Sequence, residues 1–264
     1  MTISKISGGR DSTAMTLRYL ELGNDIDFII FCDTGWEFPL MYEYIDKVDS
    51  YLQKRFNKKI IRLDESKTIE KWAFELPITE GKYQGHTRGV PRLNGIDYCT
   101  RETKIHSTER FLKENLHSLE KFRNEMLIGY TYNEVARGRK TNARYGISVY
   151  PLFEWKWNEP EVNEYLNSIA LNNPLYRHFN RTGCFICPKQ SKTSLYNLWK
   201  HYPKEWQRAK DFEARCVKEN CVLQKFKYTK SLEQIEAEFK ELDSTPKLFE
   251  CEDADLNEVC YLCR

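Results

Sequence analysis

The chain has 264 residues, 41% hydrophobic and 30% charged, with a formal net charge of +2. That length can bury a full core as one large domain or one domain with an appendage, and the near-neutral charge excludes a wholesale electrostatic grip on nucleic acid, so any basic site must be local. No apolar run approaches the roughly 20 residues of a membrane span, and no basic-then-apolar leader opens the chain, which predicts a cytoplasmic protein without membrane partners.

Residues Ile3 to Ile6 lead into "SGGRDS", and the segment after the glycines predicts a helix. Asp11 or Ser12 is placed to cap it, Met15, Tyr19 and Leu22 recur at helical spacing, and Gly23 stops it. "DFIIFCDTG" is a short apolar run ending in turn residues, the profile of a strand buried on both faces. "EFPLMYEYIDKVDSYLQKRF" reads as a second helix and "KKIIRLD" as a third strand. A β-α-β-α-β order of this kind predicts an α/β fold with a doubly wound parallel sheet.

"ITEGKYQGHTRGVPRLNGIDYCT" is glycine-rich, basic and aperiodic, and predicts a long loop. "EMLIGYTYNEVARGRK" reads as a strand that breaks into a basic turn. Asn158 and Glu161 are spaced as a capping box around Pro160, and from there the chain reads as mostly helical, near "SLYNLWKHY", "PKEWQRAKDFEARCVKE" and "SLEQIEAEFKEL". The expected division is an α/β part over 1–155 and a helical, cysteine-bearing part over 156–264. Trp199, Trp206 and Phe212 fall at near-helical spacing, as core residues do, and no histidine shows metal-ligand spacing.

Two stretches carry chemistry. Gly8 and Gly9 between strand and helix expose consecutive backbone N–H groups at a helix N-terminus, with the Ser7 and Ser12 hydroxyls beside them. Read from these residues alone, the stretch is either a phosphate cradle or a plain βα turn, and it lacks the G-K-[ST] ending of a Walker A loop. The nine cysteines are an odd number without a leader, which favours thiols or metal ligands over a disulfide framework. Cys184 and Cys187 form one C-x-x-C and Cys260 and Cys263 another, a pattern that suits a structural Zn²⁺, an iron–sulfur cluster, or buried thiols.

"SGGRDS" resembles the PP-loop, S-G-G-x-D-S, of the ATP pyrophosphatase superfamily. In chain order, "DTGWEFPLMYEYI", "IGYTYNEVARGR", "YPLFEW" and "NPLYRHFNRTGCFICP" are similar to segments of its phosphoadenosine phosphosulfate (PAPS) reductase branch. The resemblance implies an adenine nucleotide, ATP or PAPS, with Mg²⁺. Its phosphates would lie on Ser7, Gly8, Gly9, Asp11 and Ser12, with Asp33 and Thr34 at the next strand end. It implies anion contacts from Lys104, Arg137 and Arg139, and catalytic roles for Asp11, Asp33, Lys104 and Arg137. It also implies an iron–sulfur centre on Cys99, Cys184, Cys187 and a tail thiol such as Cys263, with Zn²⁺ as the alternative. Two departures stand out: the branch's cysteine pair reads Cys99-Thr100 here, and the tail "FECEDADLNEVCYLCR" lacks the E-C-G-x-H segment of sulfonucleotide reductases. The expected function is ATP cleavage between the α and β phosphates coupled to sulfur transfer, with a sulfur-donor protein and a nucleic-acid substrate as conceivable partners. The alternatives are sulfonucleotide reduction releasing sulfite, and a non-catalytic nucleotide- or nucleic-acid-binding module with structural zinc.

Overall fold

A computed structural model of the protein describes residues 1–91, 98–115, 124–138, 146–227 and 229–244. Its centre is a five-stranded parallel sheet in the order β3-β2-β1-β4-β5. The strands are β1 (Thr2–Lys5), β2 (Phe28–Asp33), β3 (Ile60–Asp64), β4 (Glu125–Leu127) and β5 (Ile147–Val149). Both faces of β2 are apolar, as its unbroken hydrophobic run requires. Ile29 and Phe31 join the main core with Ile6, Met15 and Met41, while Ile30 joins Ile3, Leu112 and Met126 on the other face. Cys32 packs against that second cluster.

Helix α1 (Arg10–Glu21) starts two or three residues earlier than a cap at Asp11 or Ser12 would give. Gly9 is the cap residue and supplies no side-chain cap. A glycine cap brings no side chain of its own to the helix start, which leaves room there for an anion. Met15 is fully buried, but Leu22 is 49% exposed, because the helix has already ended and Gly23 (φ +83°) turns the chain away. Helix α2 (Pro39–Phe56) opens on a proline, which cannot donate to a preceding turn, and ends on left-handed Asn57.

A short helix, Tyr132–Ala136, stands between β4 and the expected basic turn, of which Arg137 and Gly138 are described and form a turn. Thr131 and Glu134 form a capping box, with the Thr131 amide donating to Glu134 Oε2 at 3.0 Å. A second capping box, Asn158 with Glu161, opens the helix Glu159–Ser168, as the spacing predicted. Helices Lys192–His201, Pro203–Lys218 and Leu232–Ser244 complete the C-terminal part. One apolar cluster runs from Met15 and Met41 through Phe185 to Trp206, Phe212 and Phe239, so both parts of the chain share a core. Trp199 packs on its edge.

The strand order reverses at β1, with β2 on one side and β4 on the other. In open parallel sheets a crevice forms there, beyond the C-terminal strand ends. The glycine loop follows β1 and therefore lies at that crevice.

Candidate functional site

The loop is held from below and from the side. Gly8 takes φ +75°, and a Cβ there would meet Met41 Sδ at 2.1 Å, so only glycine lets the loop sit down on α2. Ser12 Oγ accepts the Ser7 amide at 3.2 Å and lies 3.2 Å from Ser7 Oγ. Asp11 stands in the first turn of α1. The Asn173 side chain donates to Gly8 O at 2.8 Å, and Tyr176 Oη accepts the Arg10 amide at 3.1 Å. A Cβ on Gly9 would come within 3.6 Å of both Tyr176 Oη and Thr182 Oγ1. The segment before the first C-x-x-C thus lies across the loop. Behind it, a Cβ on Gly129 would meet Ser12 at 2.9 Å, so the turn after β4 closes against the start of α1.

At the end of β2, Asp33 Oδ1 accepts the Gly35 amide at 2.8 Å and the Tyr42 hydroxyl at 2.7 Å. Burial, and then Asp33 itself, push the Tyr42 phenol well above its ordinary range, so it remains a donor to that carboxylate. Thr34 is buried and faces the cysteines. Its hydroxyl donates to Glu37 Oε1 at 3.2 Å and lies 3.1 Å from Cys184 Sγ, and it accepts the Trp36 amide at 3.3 Å. The Cys184 thiol donates to the same Glu37 oxygen at 3.1 Å. The Phe185 amide bonds Trp36 O at 3.0 Å, which locks the C-x-x-C segment onto the turn after β2.

Beside this contact opens a cleft of about 430 Å³ whose walls include Thr34, Cys99, Lys104, Cys184 and Cys187. Burial works against the Lys104 ammonium, yet Cys184, Glu37, Cys32 and Cys99 around it hold its pKa above the ordinary lysine range. Burial and Glu37 push the Cys184 thiol up, against Lys104 and the Thr34 hydroxyl. The donor set suits a thiophilic metal: three thiols, two of them on a turn closed by Cys187 N to Cys184 O at 3.2 Å, with a cation to offset their charge. Among the described residues, no group of three or more His, Cys, Asp or Glu side chains is placed to hold a metal ion.

The structure therefore brings Ser7, Gly8, Gly9, Asp11 and Ser12 together in one loop, and Thr34, Cys99, Lys104, Cys184 and Cys187 together in one cleft on the same sheet edge. Asp33 stands beside Thr34 at that edge. Arg137 is exposed at the end of the helix Tyr132–Ala136. Arg139 and Cys263 lie outside the described residues, as do Cys251 and Cys260. His178 stacks on His201 at 4.1 Å. Three contributors escape a sequence reading: Glu37, Tyr176 and Asn173. Tyr176 sits inside a recognisable segment, but only the fold shows that its hydroxyl reaches Arg10.

A glycine loop at the switch point of a parallel sheet, under a returning C-x-x-C segment, defines an α/β protein of the PP-loop class. Residues 2–190 match the phosphoadenosine phosphosulfate reductase domain, and the chain belongs to that family. An uncharacterized protein of Methanocaldococcus jannaschii is 28% identical over 214 residues, 76% of this chain and 39% of the relative. The chain thus spans about two fifths of that relative's length. An uncharacterized 37.8 kDa protein of Escherichia phage 186 is 25% identical, covering 81% of this chain and 74% of the phage protein. The solved phosphate complex of PAPS reductase from Candida auris is similar over 69% of this chain and 80% of its own, at 16% identity and a TM-score of 0.47.

Proposed function

We propose that the protein binds ATP on the Gly8–Gly9 loop, cleaves it between the α and β phosphates, and couples that cleavage to sulfur transfer. The observation that carries the reading is the shared edge: the segment from Asn173 to Cys184 bonds the glycine loop at one end and the Thr34–Glu37 turn at the other. Nucleotide and thiols are thereby kept within one crevice.

In this reading the backbone amides of Gly8 and Gly9 and the hydroxyls of Ser7 and Ser12 bind phosphate oxygens. Asp11 and Asp33 offer the oxygen ligands that Mg²⁺ prefers. An acceptor nucleophile attacks the α-phosphorus, the bond to the β-phosphate oxygen breaks, and pyrophosphate leaves with its electron pair. A sulfur nucleophile then displaces AMP from the activated acceptor. Lys104 offsets negative charge beside the thiols, and Arg137 and Arg139 serve as anion contacts. Cys99, Cys184 and Cys187 would hold the metal centre; an iron–sulfur cluster supplies electrons or a thiophilic iron, whereas zinc fixes the thiols in place.

Family membership supports a second reading, in which a thiol attacks the sulfur of PAPS, the S–O bond breaks and the nucleotide leaves, and a second thiol then displaces sulfite from the S-sulfo intermediate, forming a disulfide. The test is anaerobically prepared full-length protein given ATP or PAPS, each with and without sulfide. Pyrophosphate release from ATP that disappears in Gly9→Val and Asp11→Ala supports the first reading, and sulfite from PAPS supports the second. Turnover of neither nucleotide by metal-loaded protein would leave a binding module and overturn both.

A further inference from the structure

Glu37 is 4% exposed and stands in the turn between β2 and α2. One of its oxygens, Oε1, is shared by the Cys184 thiol at 3.1 Å and the Thr34 hydroxyl at 3.2 Å. The other, Oε2, is buried with no hydrogen-bond partner among the described residues. A buried carboxylate oxygen with no partner is destabilising, so its retention here points to a ligand.

We infer that Glu37 is a metal ligand, and that with Cys184, Cys187 and Cys99 it forms a mononuclear thiolate–carboxylate site of the zinc class. The inference rests on the reading that this cleft holds a metal, and it settles which kind.

Spacing is the first argument. Two ligands on one tetrahedral zinc, with bonds of about 2.3 Å to sulfur and about 2.0 Å to oxygen, stand about 3.5 Å apart. Cys184 Sγ and Glu37 Oε1 already stand 3.1 Å apart, so one ion can bridge them with a small adjustment. Ligands of a four-iron cluster sit on separate irons and are spread much further apart. Ligand count is the second. The family's cysteine pair reads Cys99-Thr100 here, so one thiolate is missing, and Glu37 contacts Cys184, one of the remaining three. Charge is the third. Three thiolates and a carboxylate around a divalent ion leave two negative charges, and the Lys104 ammonium lies among Cys184, Glu37 and Cys99 to offset one of them. Cys187 and Cys99 line the same cleft and complete the set by turning inward, since the described residues are not yet gathered around a centre.

The test is anaerobic titration of reduced full-length protein with Zn²⁺ alone, followed by zinc X-ray absorption. The expected result is one zinc per chain in a shell of three sulfurs and one oxygen. Glu37→Gln should weaken zinc binding about tenfold or more, Glu37→Cys should give four sulfurs, and Cys260→Ser/Cys263→Ser should change nothing. Circular dichroism of each variant checks folding, and Glu37→Cys keeps a ligand at the same place should Glu37→Gln misfold. A four-sulfur shell in the natural protein that loses two sulfurs in Cys260→Ser/Cys263→Ser overturns the inference. So does an iron–sulfur cluster that forms equally well in Glu37→Gln; either result leaves the metal reading of the cleft intact. Failure to bind Zn²⁺ or iron overturns both.

Discussion

The guanidinium of Arg10 lies 4.2 Å from the centre of the Tyr176 ring, while the Tyr176 hydroxyl accepts the Arg10 amide at 3.1 Å. Two further bonds turn the side chain away from the crevice: Nη1 donates to Asn163 Oδ1 at 3.0 Å and Nη2 to Glu159 at 3.3 Å. The arginine at the variable position of the loop therefore clamps the loop to the helix Glu159–Ser168 and to the segment ahead of the cysteines.

Arg10→Ala is expected to cost about 1–2 kcal/mol of stability, the sum of one cation–π contact and one or two hydrogen bonds. If the arginine only holds the loop, nucleotide should bind several-fold more weakly while the turnover rate falls less. Tyr176→Phe keeps the ring under Arg10 and removes the hydroxyl, with an expected loss of about 1 kcal/mol. Calorimetric titration with ATP checks both. Complete loss of nucleotide binding in Arg10→Ala, with the fold intact, would show that the side chain touches ligand instead.

Gly8→Ala should be among the most damaging single changes in the loop. It forces an alanine into φ +75° and drives its Cβ to 2.1 Å from Met41 Sδ. The backbone part costs about 1–2 kcal/mol and the overpacking about 1–3 kcal/mol. Shortening Met41 should relieve only the second part, so a double-mutant cycle of Gly8→Ala with Met41→Ala is expected to show coupling of about 1 kcal/mol or more. Additive losses in urea unfolding would place the whole effect in the backbone.

These contacts mark where sequence reasoning ends. The β-α-β-α-β order was legible because β2 is an almost unbroken apolar run and the helices carry boundary signals, Gly23 after α1 and Pro39 at the start of α2. The helix Tyr132–Ala136 hid behind its glycine and basic neighbours, although Thr131-x-x-Glu134 carried the signal of a capping box. Leu22 matched the helical period and still points to solvent, because period says nothing about where a helix ends. Glu37 could not be singled out: its role depends on Cys184, 147 residues away, returning to the same turn. For the same reason the thiols could be counted in the sequence, but their common cleft could not.

Cys32 supplies a control for the cleft. It lies in β2 on the sheet face covered by the helix Ser107–Asn115, 3.8 Å from Lys104 O and 3.7 Å from Thr108 Oγ1. Cys32→Ala should cost about 1 kcal/mol as a small loss of packing and leave metal content unchanged. Cys184→Ala should abolish metal binding. Equal metal loss in both variants, measured by elemental analysis, would mean that the site spans the sheet edge further than the cleft does.

The acid limb of the stability curve should report on the C-terminal helices through Glu236. Its carboxylate accepts Trp206 Nε1 at 3.0 Å and Lys210 Nζ at 2.6 Å, and pairs with Lys240 at 2.6 Å. Burial alone would raise its pKa, but these three donors together outweigh burial and bring it down to about 2. The unfolded chain's glutamate titrates near about 4.3. A folded pKa below the unfolded one means that the stabilisation is complete above about pH 5 and drains away as pH falls from about 4 toward 2. Glu236→Gln keeps the side chain's volume and cannot titrate, so it should be less stable than the natural protein at pH 7 and converge with it near pH 2. Urea midpoints across that range measure the difference. Two curves that stay parallel would assign the acid sensitivity to other carboxylates and reduce Glu236 to a packing residue between the helices Pro203–Lys218 and Leu232–Ser244.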